Sequence, residues 1–149
     1  MDTLQLLNIV KTFCGDSFAG VFPADHLPVP KKGTSCLFIA NTEDCQQSGE
    51  HWICIYIGQN QIGEFFDSFG RPPDQIFKKY MNKHCKYWSY NNEQLQSAIS
   101  SYCGHYCVFY CLYRCKNFSM HTIVSWFTSD TGLNDVLVEQ FVRGRLQSI

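Results

Sequence analysis

The apolar positions change their period several times along the chain, and each change marks an element. In TLQLLNIVKTFC, Leu4, Leu7, Val10 and Phe13 recur at three-residue steps, the stripe of an amphipathic helix. Asp2 can cap its start and Gly15 can end it. FAGVFPADHLPVPKKG follows, broken by three prolines and two glycines, and reads as an irregular surface segment. Three short apolar runs come next: SCLFIAN (35–41), HWICIYI (51–57) and GEFFDSF (63–69). They are brief and rich in β-branched and aromatic residues, which predicts strands. GQNQI supplies turn residues between the last two, so these pair as a hairpin. After the break at GRPP, DQIFKKYMNK (74–83) predicts a helix that starts near Asp74, and KYWSY (86–90) a fourth strand. A polar approach, NNEQLQSAISSY, leads to a helix from about Cys103 to Cys115. Further helices are expected over 119–128 and 133–146. Helices flanking a small mixed sheet define an α+β class.

Composition narrows this picture without changing it. A chain of 149 residues, free of repeats and low-complexity linkers, fits one domain spanning 1–149. Hydrophobic residues make up 45% and charged residues 17%, which excludes a disordered tail. A net charge of −1 argues against bulk, charge-driven nucleic-acid binding. Lys78, Lys79, Lys83 and Lys86 still form a local basic cluster. A solvated helix face is the plainer reading of it, and nucleic-acid docking is the functional alternative. The opening lacks the basic flank and apolar block of a signal peptide. No apolar stretch reaches the roughly 18 residues of a membrane span. Together with nine cysteines, an odd number, this is the profile of an intracellular protein with mostly reduced thiols.

The candidate chemistry centres on Cys103, where a polar loop becomes an apolar helix. A helix N-terminus lowers a thiol's pKa, and Gly104 allows close backbone approach. A nucleophilic cysteine also needs an imidazole and a group that orients the ring. His51 opens a strand after Gly49 and Glu50, and Asp67 ends the next one. With a turn at Gln59-Asn60, residue 51 falls opposite about residue 68, one step from Asp67, on strands about 5 Å apart. Asp25 and Asp74 compete with Asp67, but Asp74 reads as a helix cap and Asp25 sits in the proline-rich segment. Gln96, in the loop before Cys103, offers an amide donor for an oxyanion, as does the Cys103 N–H.

Plainer readings stand beside these. Cys103 on its own is a buried helix cysteine. Cys107, Cys111 and Cys115 continue from it at four-residue steps. The helix advances about 400° over four residues, so the stripe drifts by about 40° per step, and its ends lie roughly 18 Å apart, too far for one tetrahedral metal. They read as core. His105 lies about 200° around the helix from Cys103 and faces elsewhere. His84-Cys85 reads as a surface pair, and Phe65, Phe66 and Phe69 as core.

The order His51-Trp52, then Asp67-Ser-Phe-Gly70, then Gln96, six residues, and Cys103-Gly104 resembles the adenovirus-type cysteine protease family, also carried by Polinton/Maverick elements. The likeness runs over roughly residues 4–127 and includes FAGVFPADHLP and SCLFIAN. It implies a papain-like arrangement with permuted order, shared distantly with SUMO-specific proteases. By the same resemblance, Cys103 is the nucleophile, His51 the base and then the acid, Asp67 the ring orienter and Gln96 an oxyanion donor. Trp52 and Gly104 line the substrate site. The implied substrates are polypeptides cut at small or glycine-rich sites, often virion precursor proteins, in the host nucleus or the virion. No cofactor is required. Adenoviral members are activated by a disulfide-linked peptide and by DNA, and by this resemblance Cys85 matches the position of that disulfide cysteine. Asp67 stands where mammalian adenoviral enzymes typically carry Glu, and the chain stops short of the longer adenoviral C-terminal region. A ubiquitin-like-modifier isopeptidase and a non-enzymatic DNA- or capsid-binding module are the alternatives on this fold.

Overall fold

The computed structural model describes residues 1–42 and 51–149; Cys45, Gly49 and Glu50 lie outside the described residues. In chain order the elements are α1 (Thr3–Cys14), β1 (Phe18–Phe22), β2 (Cys36–Asn41), β3 (Trp52–Ile57), β4 (Ile62–Phe66), α2 (Gln75–His84), β5 (Tyr87–Tyr90), α3 (Cys103–Arg114), α4 (Met120–Ser125) and α5 (Thr131–Leu146). The strands form one five-stranded sheet in sequence order. The outer pairs β1/β2 and β4/β5 are parallel, and the inner pairs are antiparallel.

Both faces of the sheet are covered, which explains the near-continuous apolar runs of β2 and β3. Leu37, Ile39, Cys54 and Phe66 point to one face, where α1, α3 and α5 pack. Phe38, Ala40, Ile53, Ile55 and Phe65 point to the other, against Phe77, Tyr80 and Met81 of α2. The fold class follows the sequence pattern. Within α3 almost every side is buried, from Cys103 to Leu112, so this helix is the centre of its layer. Cys107 and Cys111 are core residues, with Cys54 Sγ 3.9 Å from Cys111 Sγ.

Two local expectations are corrected. The proline-rich segment begins with a strand: β1 precedes the first proline, Pro23, and pairs with β2 across an irregularity between Phe18 and Gly20. Gly20 takes φ 141°, a conformation open mainly to glycine, and this hid the strand in the sequence. In α1 the buried stripe is Leu6, Ile9 and Val10, while Leu4 and Phe13 are exposed. Of the expected stripe Val10 is buried and Leu7 packs partly on the core, and packing against α3 adds Leu6 and Ile9 in place of Leu4 and Phe13. Its start is a reciprocal cap: Asp2 Oδ1 accepts the Gln5 N–H at 2.8 Å, and Gln5 Oε1 accepts the Asp2 N–H at 2.9 Å.

One half-buried carboxylate joins three elements. Glu64 of β4 accepts the Tyr110 hydroxyl at 2.6 Å and pairs with Arg114 Nε at 3.0 Å, both from α3. Its other oxygen accepts the Met120 N–H at the start of α4, at 3.1 Å. Arg114 also stacks 3.7 Å over the Tyr56 ring. Removing the acceptor strands several donors at once, which costs more than the net value of each bond. Glu64→Ala is expected to lower unfolding free energy by about 3–5 kcal/mol in urea denaturation. Glu64→Gln, which keeps an acceptor, is expected to lose clearly less.

Candidate active site

His51 immediately precedes β3, Asp67 immediately follows β4, and Cys103 is the first residue of α3. The hairpin register pairs Cys54 with Phe66, one residue beyond the expected alignment. Extended to the strand ends, it sets residue 51 opposite 69, so 51 and 67 share a face. The His51 ring accordingly stacks on Phe69, with centroids 5.1 Å apart. Its Nε2 lies 2.9 Å from Asp67 Oδ1.

Asp67 is itself held from several sides. Its Oδ1 also accepts the Phe69 N–H at 2.8 Å. Asn91 accepts the Asp67 N–H at 2.9 Å and donates to the Asp67 carbonyl at 2.6 Å, mimicking a missing strand partner. On the solvent side, Arg71 Nε is 3.5 Å from Asp67 Oδ2 and stacks over Phe69. The turn closes where the Gly70 N–H meets the Asp67 carbonyl at 2.7 Å. Gly70 has φ 71°, and a Cβ there would come within 2.5 Å of the Glu93 backbone, so only glycine fits.

Cys103 is 5% exposed, and its thiol is hydrogen-bonded to the His51 ring and to the backbone N–H groups of Trp52 and Gly104. With Nε2 facing Asp67, Nδ1 is the nitrogen left for sulfur. Burial pushes the thiol up, but His51 and the two N–H groups outweigh it and hold Cys103 below its ordinary value. Burial likewise pushes His51 down. Its bonds to Asp67 and Cys103 overcome this and raise it to about 9. The pair therefore favours thiolate and imidazolium, and the N-terminal end of α3 adds a favourable dipole. No side chain caps that end.

Gln96 is fully buried, and both ends of its amide are fixed. Oε1 accepts the Ser68 hydroxyl at 2.6 Å, and Nε2 donates to the Ser100 carbonyl at 2.9 Å, leaving one amide hydrogen uncommitted among the described residues. With His51 and Cys103 it borders an open cleft of about 450 Å³, which Trp52, Phe69, Arg71 and Ser101 also line. Gly104 does not line this cleft. It packs beneath, and a Cβ there would sit 3.4 Å from Leu6 and 3.5 Å from Trp52. Its contribution is the N–H to sulfur, and the expected access role is corrected accordingly.

The other singled-out residues lie elsewhere. Cys85 follows α2, on the opposite sheet face from α3, where burial pushes its thiol up to about 11. Lys78, Lys79, Lys83 and Lys86 are exposed on and after that helix. His105 packs edge-on against Tyr102. Sequence reasoning missed Ser68, Phe69, Asn91 and Ser100 as supports of the site. Ser68 and Phe69 sit inside the DSFG stretch already quoted, whereas nothing local marks Asn91 or Ser100.

No protein-family model matches the chain, and no curated protein matches it in sequence. Solved structures do. The five-stranded mixed sheet with the Cys103 helix on one face matches the fold of the pS273R protease of ASFV, with a TM-score of 0.53 at 20% identity. That match covers 70% of this chain and 43% of the other, so the chain spans less than half of that protease. The central domain of an uncharacterized Lpg1148 protein from Legionella pneumophila matches over 99% of this chain and 96% of its own, with a TM-score of 0.63 and 12% identity. The SUMO protease Ulp1, with its catalytic cysteine oxidized to a sulfinic acid, aligns at TM-score 0.49 and 11% identity over 98% of this chain and 78% of its own. Among the described residues, no helix is long and apolar enough to cross a membrane.

Iodoacetamide labelling of Cys103, followed by peptide mass spectrometry across pH, reads the ion pair directly. The rate is expected to rise through an inflection below the ordinary thiol range, and to move upward in Asp67→Asn. An inflection at or above the ordinary range in the native protein rules the pair out. Gly70→Ala is expected to lose more stability in denaturant titration than the strain at a positive φ alone, about 1–3 kcal/mol, because the Cβ also meets the Glu93 backbone.

Proposed function

We propose that the chain is a cysteine endopeptidase of the adenovirus-protease type, cutting polypeptides at small or glycine-rich sites in precursor proteins. The observation that carries this reading is the continuous line from Asp67 through the His51 ring to the Cys103 thiol, opening on a cleft. In this reading the Cys103 thiolate attacks the peptide carbonyl, and the carbonyl oxygen gathers negative charge. The uncommitted Gln96 amide hydrogen and the Cys103 N–H are the donors for it. Collapse of the intermediate expels the amine, which takes the proton from the His51 imidazolium. His51, now neutral, removes a proton from water, which releases the acyl group from sulfur. Asp67 keeps the ring in place and stabilises its charged form.

Incubation with a glycine-containing peptide library, beside a modifier–fluorophore conjugate, tests both the activity and its class. Peptide cleavage is expected. Release from the conjugate alone would make the chain an isopeptidase, and no turnover on either substrate, with no warhead labelling of Cys103, would end the enzymatic reading. Cys103→Ala should abolish turnover while leaving the fold intact. Gln96→Ala should lower kcat on the order of 10²–10³-fold while leaving the iodoacetamide reactivity of Cys103 unchanged.

The pH profile of kcat/KM follows from the same groups. Below the lowered Cys103 value the thiolate is protonated, and above about 9 the imidazolium is lost. A bell with its alkaline limb near 9 is expected. Asp67→Asn should shift that limb downward and reduce the maximum.

A further inference from the structure

We propose that Cys14 and Cys115 form a second reactive thiol site, a dithiol that closes to a disulfide by exchange with a small disulfide of the glutathione type. This inference stands apart from the catalytic reading, because the pair lies at the other end of α3 from Cys103. Helix α1 runs alongside α3 in the same direction: Leu6 approaches Gly104 at the start of α3, and Cys14 reaches its end. Cys14 is the last residue of α1, and Cys115 caps α3. The two thiols are neighbours, each shifting the ionisation of the other. Cys14 Sγ is 3.5 Å from the Cys111 carbonyl, and Cys115 Sγ is 3.2 Å from the Leu112 carbonyl. The two sulfurs thus share one small volume at the end of the helix.

Location distinguishes this pair from the other close thiols. Cys54, Cys107 and Cys111 are sealed in the core, where no small oxidant reaches them, and burial raises the Cys54 and Cys107 thiols. Cys14 and Cys115 are only half-buried. Both sit at helix ends, where the backbone has more freedom to adopt disulfide geometry than in mid-helix. The neighbouring Cys14, with help from Lys116, lowers Cys115 to about 7 despite its partial burial. Cys115 is therefore the attacking sulfur.

The exchange balances in two steps. The Cys115 thiolate attacks one sulfur of the small disulfide, forming a mixed disulfide and expelling a thiolate. Cys14 then loses its proton and attacks Cys115 Sγ, expelling the second small thiolate. Two protein thiols are oxidised, one small disulfide is reduced to two thiols, and the protons leave on those thiols. The product ties α1 to α3 across a loop on the order of 100 residues, a length at which a cross-link restricts the unfolded chain strongly.

The test uses the intact protein, oxidised glutathione, maleimide trapping of remaining thiols, and unreduced peptide mapping. A cross-linked peptide pair containing Cys14 and Cys115 is expected, with Tm raised by about 10 °C. In Cys14→Ser the reaction is expected to stop at a glutathione adduct on Cys115, with no cross-link and no gain in Tm. The proposal is overturned if both cysteines return as maleimide adducts, or as separate glutathione adducts, in samples where Cys103 has been oxidised.

Discussion

Separated charge with little water is the constraint on which the rest of this structure depends. Burial is the largest single influence on both Cys103 and His51, and it opposes the charged form of each. The surroundings supply what water would have supplied. Asp67 takes the ring, and the Trp52 and Gly104 N–H groups take the sulfur. Each of these donors and acceptors is backbone, or is fixed by backbone. The site is therefore set by the positions of three element ends, β3, β4 and α3, more than by side-chain choice.

That dependence explains the layered core. α3 can present Cys103 at a fixed height only because it is enclosed on nearly all sides, by β3 and β4 beneath it and by α1 and α5 around it. Glu64 adds a polar anchor near its far end through Tyr110 and Arg114. The buried Asn91 has a comparable function for the loop after β4. It supplies both halves of a strand-like pairing to Asp67, where the sheet itself has stopped.

Much of this was legible in the sequence, and the parts that were not share a cause. Periodicity located most of the helices and four of the strands, because their burial pattern is local. The missing strand, β1, depends on pairing with β2 and on a glycine that ordinary strands avoid. The stripe of α1 is legible only in part: Val10 is buried as its spacing implies, but the choice of Leu6 and Ile9 over Leu4 and Phe13 depends on where α3 packs. In the site, His51, Asp67, Gln96 and Cys103 stood out by residue type and order. Asn91, Ser68 and Ser100 did not, since their value comes from hydrogen bonds to groups that are distant in the chain or carried by the backbone. Gly104 was expected at the substrate surface, but a helix residue one place beyond Cys103 turns by about 100° and meets the packed layer instead.

The strand order has a dynamic consequence. β3 is the middle strand, paired on both sides and covered on both faces, so its amides exchange with solvent only when the whole sheet comes apart. The edge strands β1 and β5 can open locally at lower cost. His51 is attached to the most persistent strand of the molecule. The imidazole is thus anchored at the end of the central strand, away from the sheet edges, and motion at those edges leaves it in place.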